Sequence, residues 1–127
     1  MQAVNSIDAP KAIGPYNQAI RSGNLLFCSG QTPVHPISMR IENNLIDSQT
    51  ERAIQNMALV LAGAGLTISS IIKTTVYLTD MDNFEMMNAA YLKCFGTHKP
   101  ARTTVAVKGL PLNALVEIEC IAEFLAQ

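Results

Sequence analysis

The sequence predicts an α+β domain in which two amphipathic helices cover one face of a mixed β-sheet. Five segments have the β-branched and aromatic composition, and the turn-bounded length, of strands. Two further segments repeat apolar residues at helical spacing. The resulting order is β-β-α-β-α-β-β. Because the strands outnumber the helices, two helices can cover only one of the two faces of the sheet.

The first two strands are predicted to form a hairpin. Residues 16–21 make the first strand, residues 22–24 the turn and residues 25–31 the second strand. The turn sequence Ser-Gly-Asn is typical of a tight hairpin because Gly and Asn tolerate positive φ. Residues 32–36 contain two prolines, which cannot donate to a sheet ladder and therefore end the strand. Residues 37–46 are predicted to form a loop with a short extended piece.

The first helix is predicted to begin near residue 47. Ser48, with Glu51 three residues later, matches a capping box, and Gly65 is expected to follow the end of the helix as its C′ residue. Between these ends the apolar residues recur at helical spacing and define the buried stripe: Ala53, Ile54, Met57, Ala58, Leu61 and Ala64.

The centre of the chain combines a buried strand with the second helix. Residues 71–78 are β-branched and continuous, which is typical of a strand covered on both faces. Asp80 or Asp82 would cap the second helix, and Gly96 would end it. The apolar stripe of this helix contains one amide, Asn88, and such an amide is most often a satisfied core group. The residues of the stripe are Phe84, Met87, Asn88, Tyr91 and Phe95.

Two strands, residues 101–107 and residues 115–122, are predicted at the end of the chain. Arg102 is permanently charged and planar, and it can hold a carboxylate through two parallel hydrogen bonds. On the second strand Glu117 and Glu119 share one face, because side chains alternate with a period of two. Pairing of the two strands would bring Arg102 near these carboxylates. The residues alone allow either a structural ion pair or a site for the carboxylate of a ligand.

Length and composition exclude several classes of protein. The 127 residues predict one domain, residues 1–127, with enough chain for a hydrophobic core. A net charge of −1 predicts neither a nucleic-acid partner nor an anionic membrane, since both require a surplus of Lys and Arg. No apolar run reaches the roughly 20 residues of a membrane span. The N-terminus resembles neither a secretory signal nor an Arg-rich transit peptide, so we expect a cytoplasmic location, with the mitochondrial matrix as the alternative.

The cysteines and histidines do not predict a metal site. Cys28, Cys94 and Cys120 are far apart in sequence and lie among apolar residues, so we expect inert thiols in the core. His35 and His98 are the only histidines, and both lie in loop-like sequence. Nothing near either one suggests a zinc site or a Ser-His-Asp relay.

The sheet face opposite the helices is predicted to mix Ile, Ala, Thr and Tyr with a few charges. Such a face is too apolar for open water and too polar for the core of a monomer. We therefore expect the sheet to pack against copies of itself in a closed homo-oligomer, with functional sites at the interfaces.

Six sequence blocks follow one another along nearly the whole chain. They are Ala-Ile-Gly-Pro-Tyr at 12–16, Phe-Cys-Ser-Gly-Gln-Thr-Pro-Val at 27–34, Lys-Thr-Thr-Val-Tyr-Leu at 73–78, Asn-Ala-Ala-Tyr at 88–91, Lys-Pro-Ala-Arg at 99–102 and Val-Glu-Ile-Glu at 116–119. Together they resemble the Rid family, also called the YjgF family. The Pro-Ala-Arg block followed by the Glu-Ile-Glu strand is the most specific part of the resemblance.

The resemblance implies a chorismate-mutase-like fold and a homotrimer whose sheets form a central barrel, with clefts between subunits. It also implies a cofactor-independent 2-iminoacid deaminase, a hydrolase of amino-acid metabolism. Its substrates would be reactive imines and enamines such as 2-aminoacrylate, and its products would be 2-oxoacids and ammonia. Arg102 would bind the substrate carboxylate, and Glu117 would act as general base on a water molecule and remain ionised beside Arg102. The resemblance places the remaining site residues around the substrate: Tyr16, Ser29, Gly30, Asn88 and Thr104.

The chain departs from the family pattern at three places. Thr104 stands where most deaminase-type members have Cys, and Thr103, expected to face the helices, stands where Ser is usual. The loop at residues 37–41 lacks the usual turn Gly. Two other functions compete with the deaminase: a non-catalytic binder of small carboxylates with a regulatory or chaperone role, and an RNA-directed role, which the negative net charge disfavours.

Overall fold

The computed structural model describes residues 1–125 and contains one six-stranded sheet and two α-helices. The strands lie in the order β1-β2-β3-β6-β4-β5, and all neighbours are antiparallel except β4 and β5. The mixed α+β fold predicted from the sequence is therefore confirmed. In chain order the elements are β1 Gln2–Val4, β2 Ala19–Ser22, β3 Leu25–Gln31, α1 Ile46–Gly63, β4 Ile71–Leu78, α2 Phe84–Phe95, β5 Ala101–Ala106 and β6 Val116–Glu123.

The hydrophobic core lies between the two helices and one face of the sheet. Every second side chain is buried along β6 and, in β4, from Thr74 to Leu78, which is the pattern of strands covered on one side. Within residues 1–125, no helix combines the length and the apolar character needed to cross a bilayer. The largest fully buried apolar side chains of this core are Leu26, Met57, Leu61, Ile71, Leu78, Met87 and Ile118.

The predicted hairpin is present, and the bounds of β3 and β4 are those expected from the sequence. Ser22 pairs with Leu25, so Gly23 and Asn24 form the tight turn, with Gly23 at φ 62°. The strand before the turn is shorter than predicted. It begins at Ala19 because the turn before it extends to Tyr16, whose N–H donates to the Gly14 carbonyl at 2.8 Å. The edge strand β1 was not predicted, since three residues are too few to show a period.

The predicted capping box on α1 is wrong. The helix begins at Ile46, its N-cap is Leu45, and no side chain caps it. Ser48 and Glu51 therefore lie inside the first turns. Packing overrides the local signal, because Ile46 is buried in the core at the start of the helix. The predicted helix ends are confirmed, since Gly65 and Gly96 follow α1 and α2 with φ of 74° and 61°.

The two C-terminal strands do not pair with each other, because β4 lies between β5 and β6. Arg102 aligns with Thr74 of β4, and Glu117 aligns with Tyr77. Aligned residues on neighbouring strands project to the same face of a sheet. Arg102 thus lies on the helix-covered face with buried Thr74. Glu117 lies on the opposite face, which we call the open face.

Candidate functional site

Arg102 projects from β5 over the aromatic side chains of the helix layer. Its guanidinium carbon lies 4.8 Å from the centre of the Tyr91 ring and 5.8 Å from that of Phe84. The Tyr91 hydroxyl is held in turn by a hydrogen bond to Thr74 Oγ1 at 2.8 Å. Within residues 1–125 the one salt bridge joins Lys93 and Glu51, so Arg102 has no carboxylate partner there. Its guanidinium is available to bind an anion.

A cavity of about 350 Å³ opens beside Arg102, which we call the arginine pocket. Three buried polar atoms on this side of the sheet have no hydrogen-bond partner among the described residues: Asn56 Oδ1 on α1, Asn88 Oδ1 on α2 and Thr104 Oγ1 on β5. Such orphaned atoms cost free energy, and they are concentrated at functional sites. The expectation of a satisfied core amide at Asn88 is therefore wrong. The principal walls of the pocket are Asn88, Tyr91, Leu92, Phe95, Pro100 and Arg102.

A second cavity, of about 420 Å³, lies on the open face, and we call it the acidic cleft. A β-bulge shapes its floor. Cys28 pairs with Cys120 and Gln31 with Ile118, so β3 has one residue more than β6 between these pairs. The bulge packs closely on Glu117, because a Cβ atom on Gly30 would lie 3.0 Å from Cδ of Glu117. The side chains and backbone lining the cleft belong to Tyr16, Ser29, Gly30, Tyr77, Pro111, Glu117 and Glu119.

The two carboxyl groups of the acidic cleft have different surroundings. The Tyr77 hydroxyl donates a hydrogen bond to Glu119 Oε1. That bond raises the pKa of Tyr77, so the phenol keeps its proton and remains a donor. Burial, followed by the negative charge of Glu119, raises the pKa of Glu117 above its ordinary value. The expectation that Arg102 keeps Glu117 ionised is wrong for a single chain, since Arg102 lies on the other face.

The polar groups at the edge of the acidic cleft are only partly engaged. The Ser29 hydroxyl donates to the Asn17 carbonyl at 2.7 Å, so its oxygen can still accept a hydrogen bond. Tyr16 is 48% exposed, and its hydroxyl accepts a hydrogen bond of 3.4 Å from the Ile13 N–H. Both residues line the cleft beside Glu117. Their common role in a site, which the family resemblance implies, stays a prediction.

The predicted site residues therefore form two groups on opposite faces of the sheet. Arg102, Thr104 and Asn88 belong to the helix-covered side, whereas Tyr16, Ser29, Gly30 and Glu117 belong to the open face. Thr103 lies on the open face too, contrary to the expectation that it faces the helices; its hydroxyl accepts from Lys73 at 3.5 Å.

Sequence reasoning did not identify Tyr77 and Tyr91 as site residues. Tyr77 lines the acidic cleft, and Tyr91 lies under the Arg102 guanidinium. The alternation of side chains along residues 71–78 could have indicated Tyr77, because it puts this residue on one face of the strand with Lys73 and Thr75. The strand register then makes Tyr77 the direct neighbour of Glu117. Tyr91 followed the apolar stripe of α2, where an aromatic residue is expected to fill the core.

Comparison with known proteins identifies the family. The Endoribonuclease L-PSP family matches residues 6–124 of this chain. Reactive Intermediate Deaminase A of Arabidopsis thaliana, a chloroplastic protein, is 42% identical over 121 residues, which are 95% of this chain and 65% of that protein. The chain belongs to the Rid (YjgF) family. The resemblance found in the sequence is confirmed.

Other proteins similar to this Rid chain match over nearly their full length. A RutC family protein of Pyrococcus horikoshii is 47% identical over 115 residues, which are 91% of each chain. The solved structure of E. coli TdcF with bound serine is 36% identical, covers 97% of this chain and 98% of its own, and has a TM-score of 0.92. Identity at this level over a whole domain establishes a shared fold, while the reaction must be argued from the site.

Proposed function

We propose that this Rid-family chain hydrolyses reactive 2-imino acids, and the enamines in equilibrium with them, to 2-oxoacids and ammonia without a cofactor. The main observation is Arg102, a guanidinium with no carboxylate partner among the described residues, held over Tyr91 beside a cavity. Every 2-imino acid has a carboxylate that such a group can bind in a bidentate manner. The E. coli relative TdcF was solved with serine, a molecule with the same carboxylate group.

We propose further that the working form is a homotrimer in which each site joins two copies of the chain. Arg102 and Glu117 lie on opposite faces of the sheet, so one copy cannot direct both toward one small molecule. In a trimer whose sheets form a central barrel, the arginine pocket of one copy would meet the acidic cleft of the next. The open face supports such packing, since it exposes the large apolar side chains Phe27, Ile72 and Val105.

The proposed reaction begins with the substrate carboxylate bound by Arg102, which fixes the position of C2. The Glu117 carboxylate accepts a proton from water as the water oxygen bonds to C2 and the C=N electron pair moves to nitrogen. Glu117 then returns this proton to the nitrogen, which gives a neutral carbinolamine. The hydroxyl proton of this intermediate passes through Glu117 to the nitrogen as the carbonyl forms, the C–N bond breaks and ammonia leaves.

A coupled assay tests the proposal. A threonine or serine dehydratase supplies the imine, and the release of 2-oxoacid is followed with and without the purified protein. We expect faster release with the protein, and a loss of about 100-fold or more in kcat/KM for Arg102→Ala, because the substrate is no longer held in position. Lys108→Ala removes an exposed cation outside both cavities and is expected to behave as the unmodified protein. No acceleration over buffer would exclude the deaminase.

The competing function is a non-catalytic binder of small carboxylates. The position of the arginine pocket favours it, since Arg102 can bind a carboxylate without help from the opposite face. Glu117→Gln separates the two functions. In a deaminase this change lowers turnover by about 100-fold or more and leaves the affinity for 2-oxobutanoate, measured by calorimetry, nearly unchanged. A pure binder shows the same affinity but no turnover in the unmodified protein.

A further inference from the structure

Two carboxyl groups and two phenols line the acidic cleft, and the proposed reaction uses only the Glu117 carboxyl group. Glu117 and Glu119 are two residues apart on the same face of β6, roughly 7 Å along the strand. Tyr77 is the direct neighbour of Glu117 in the strand register, yet its hydroxyl donates to Glu119. The phenol thus reaches diagonally across the sheet and fixes the second carboxylate instead of the first.

We propose that Glu119 and Tyr77 are positioning residues for Glu117. The Tyr77 hydroxyl holds the Glu119 carboxylate in place, and the negative charge of Glu119 makes the neighbouring Glu117 carboxylate a stronger proton acceptor. This inference rests on the proposed deaminase, in which Glu117 must accept a proton from water and then return it to the leaving nitrogen. A carboxylate with an ordinary acidity accepts a proton from water poorly, so its environment must make it more basic.

The groups that line the acidic cleft around Glu117 carry no positive charge within the described chain. On its own strand the neighbour is Glu119, on β4 it is Tyr77, and before β2 it is Tyr16. The bulge of β3 presents Ser29 and the backbone of Gly30, neither of which is charged. A positive charge on the same face would oppose the effect.

Lys73 of β4, a cation on this face, is already engaged by two hydroxyl groups. The Lys73 ammonium donates to Thr75 Oγ1 at 3.3 Å and to Thr103 Oγ1 at 3.5 Å. In the proposed trimer Arg102 of a second copy would approach the acidic cleft together with the substrate carboxylate, which balances its charge. The close packing of Gly30 removes water from one side of Glu117. Burial and the Glu119 charge both raise the pKa of Glu117, in agreement with the geometry.

The test is the pH profile of kcat, which reports ionisations in the substrate complex, for the unmodified protein and for Glu119→Gln, Tyr77→Phe and Glu123→Gln. The acidic limb reports the ionisation of Glu117. Removing the Glu119 charge should move this limb to lower pH by roughly half a unit or more, with little change in KM. Tyr77→Phe keeps the Glu119 charge but no longer holds the Glu119 carboxylate in place. The acidic limb of this variant should therefore lie between those of the unmodified protein and Glu119→Gln. Glu123, an exposed carboxylate on the same face near the end of β6, is the matched control and should not shift the limb.

Two results would overturn the inference. One is a uniform loss of kcat in Glu119→Gln with the acidic limb unmoved, which indicates a purely structural role. The other comes from ¹³C NMR of the glutamate carboxyl groups, which titrates Glu117 directly and needs no turnover. If Glu119→Gln leaves the Glu117 midpoint unchanged, the coupling is absent. A lowered midpoint without any deamination would support the coupling and reject the proposed reaction.

Discussion

The side chains of Arg102 and Glu117 have opposite charges and separate environments. Arg102 stacks over Tyr91 on the helix-covered side, and Glu117 packs against Gly30 on the open face. Because the sheet lies between them, the charges of Arg102 and Glu117 cannot neutralise each other within one chain. The ionisation of Glu117 is therefore set by burial and by Glu119, which has a consequence for folding as well as for catalysis.

Glu117→Gln should change the pH dependence of stability. The pKa of Glu117 is higher in the folded protein than its ordinary value of 4.5, so the fold favours the protonated form. Its stabilising contribution is complete below the unfolded pKa and is lost as the pH rises through the folded pKa. We expect the unmodified protein and Glu117→Gln to be equally stable at acidic pH, and the variant to be the more stable at neutral pH. Urea denaturation at fixed protein concentration measures this, and a difference that grows on acidification would contradict it.

Thr104 is the residue that most distinguishes this chain from the family pattern. Its hydroxyl is buried without a partner among residues 1–125, although the backbone around it is an ordinary strand. Thr104→Val keeps the shape and removes the orphaned group, so we expect a gain of about 1 kcal/mol in the free energy of unfolding. Deamination should persist, because the proposed reaction uses water and not a thiol.

The control for this change is Thr103→Val. Thr103 lies next in sequence on the opposite face, where its hydroxyl accepts a hydrogen bond from Lys73. We expect no gain in stability from it. A collapse of deamination in Thr104→Val, with Thr104→Cys active, would show that the substrate needs a polar group at this position.

At the scale of elements, the bulge in β3 shapes the acidic cleft, because the residues of the bulge line it. The extra residue between Cys28 and Gln31 turns Ser29 and Gly30 toward the carboxyl groups of β6. Bulges re-aim side chains and interrupt pairing, and they are frequent next to functional sites. The sequence predicted the extent of β3 correctly but not the bulge, because residues 25–28 are all apolar and show no alternation that an extra residue could visibly interrupt.

Gly30→Ala should damage activity more than stability. Its Cβ would lie 3.0 Å from Cδ and 3.2 Å from Cγ of Glu117, so the carboxyl group must move to make room. We expect kcat to fall by about tenfold or more while the protein remains folded, since a small displacement of a catalytic group is costly. Gly109→Ala is the matched control, because nothing lies within 4 Å of its added Cβ. Equal activity of the two variants would argue against Glu117 as the general base.

At the scale of the whole molecule, assembly is the central expectation, because the two halves of the proposed site lie on opposite faces of the sheet. Phe27, 44% exposed near the middle of the open face, should lie inside the trimer interface. Phe27→Lys introduces a charge that an apolar interface cannot accommodate. Sedimentation equilibrium should show a trimer for the unmodified protein and monomers for the variant, which should also lose deamination.

Met86→Lys makes the same chemical change on the helical side, where Met86 is also exposed. It is expected to remain trimeric and active, since the proposed barrel buries the sheet and leaves the helices outside. A monomeric but active Phe27→Lys variant would show that one chain contains a complete site, and would contradict the proposed arrangement.

Features that depend only on residues close together in the chain were predicted correctly from the sequence. These include the hairpin turn at Gly23, the C-terminal ends of both helices, the extents of β3 and β4, and the shared face of Glu117 and Glu119. Two features emerge only in the folded sheet: β4 lies between β5 and β6, and the register aligns Arg102 with Thr74 but Glu117 with Tyr77, which puts Arg102 and Glu117 on opposite faces. The physical reason is that side-chain alternation is a local property of the backbone. Strand order, in contrast, is set by long-range packing of the helices on the sheet, which no short segment encodes.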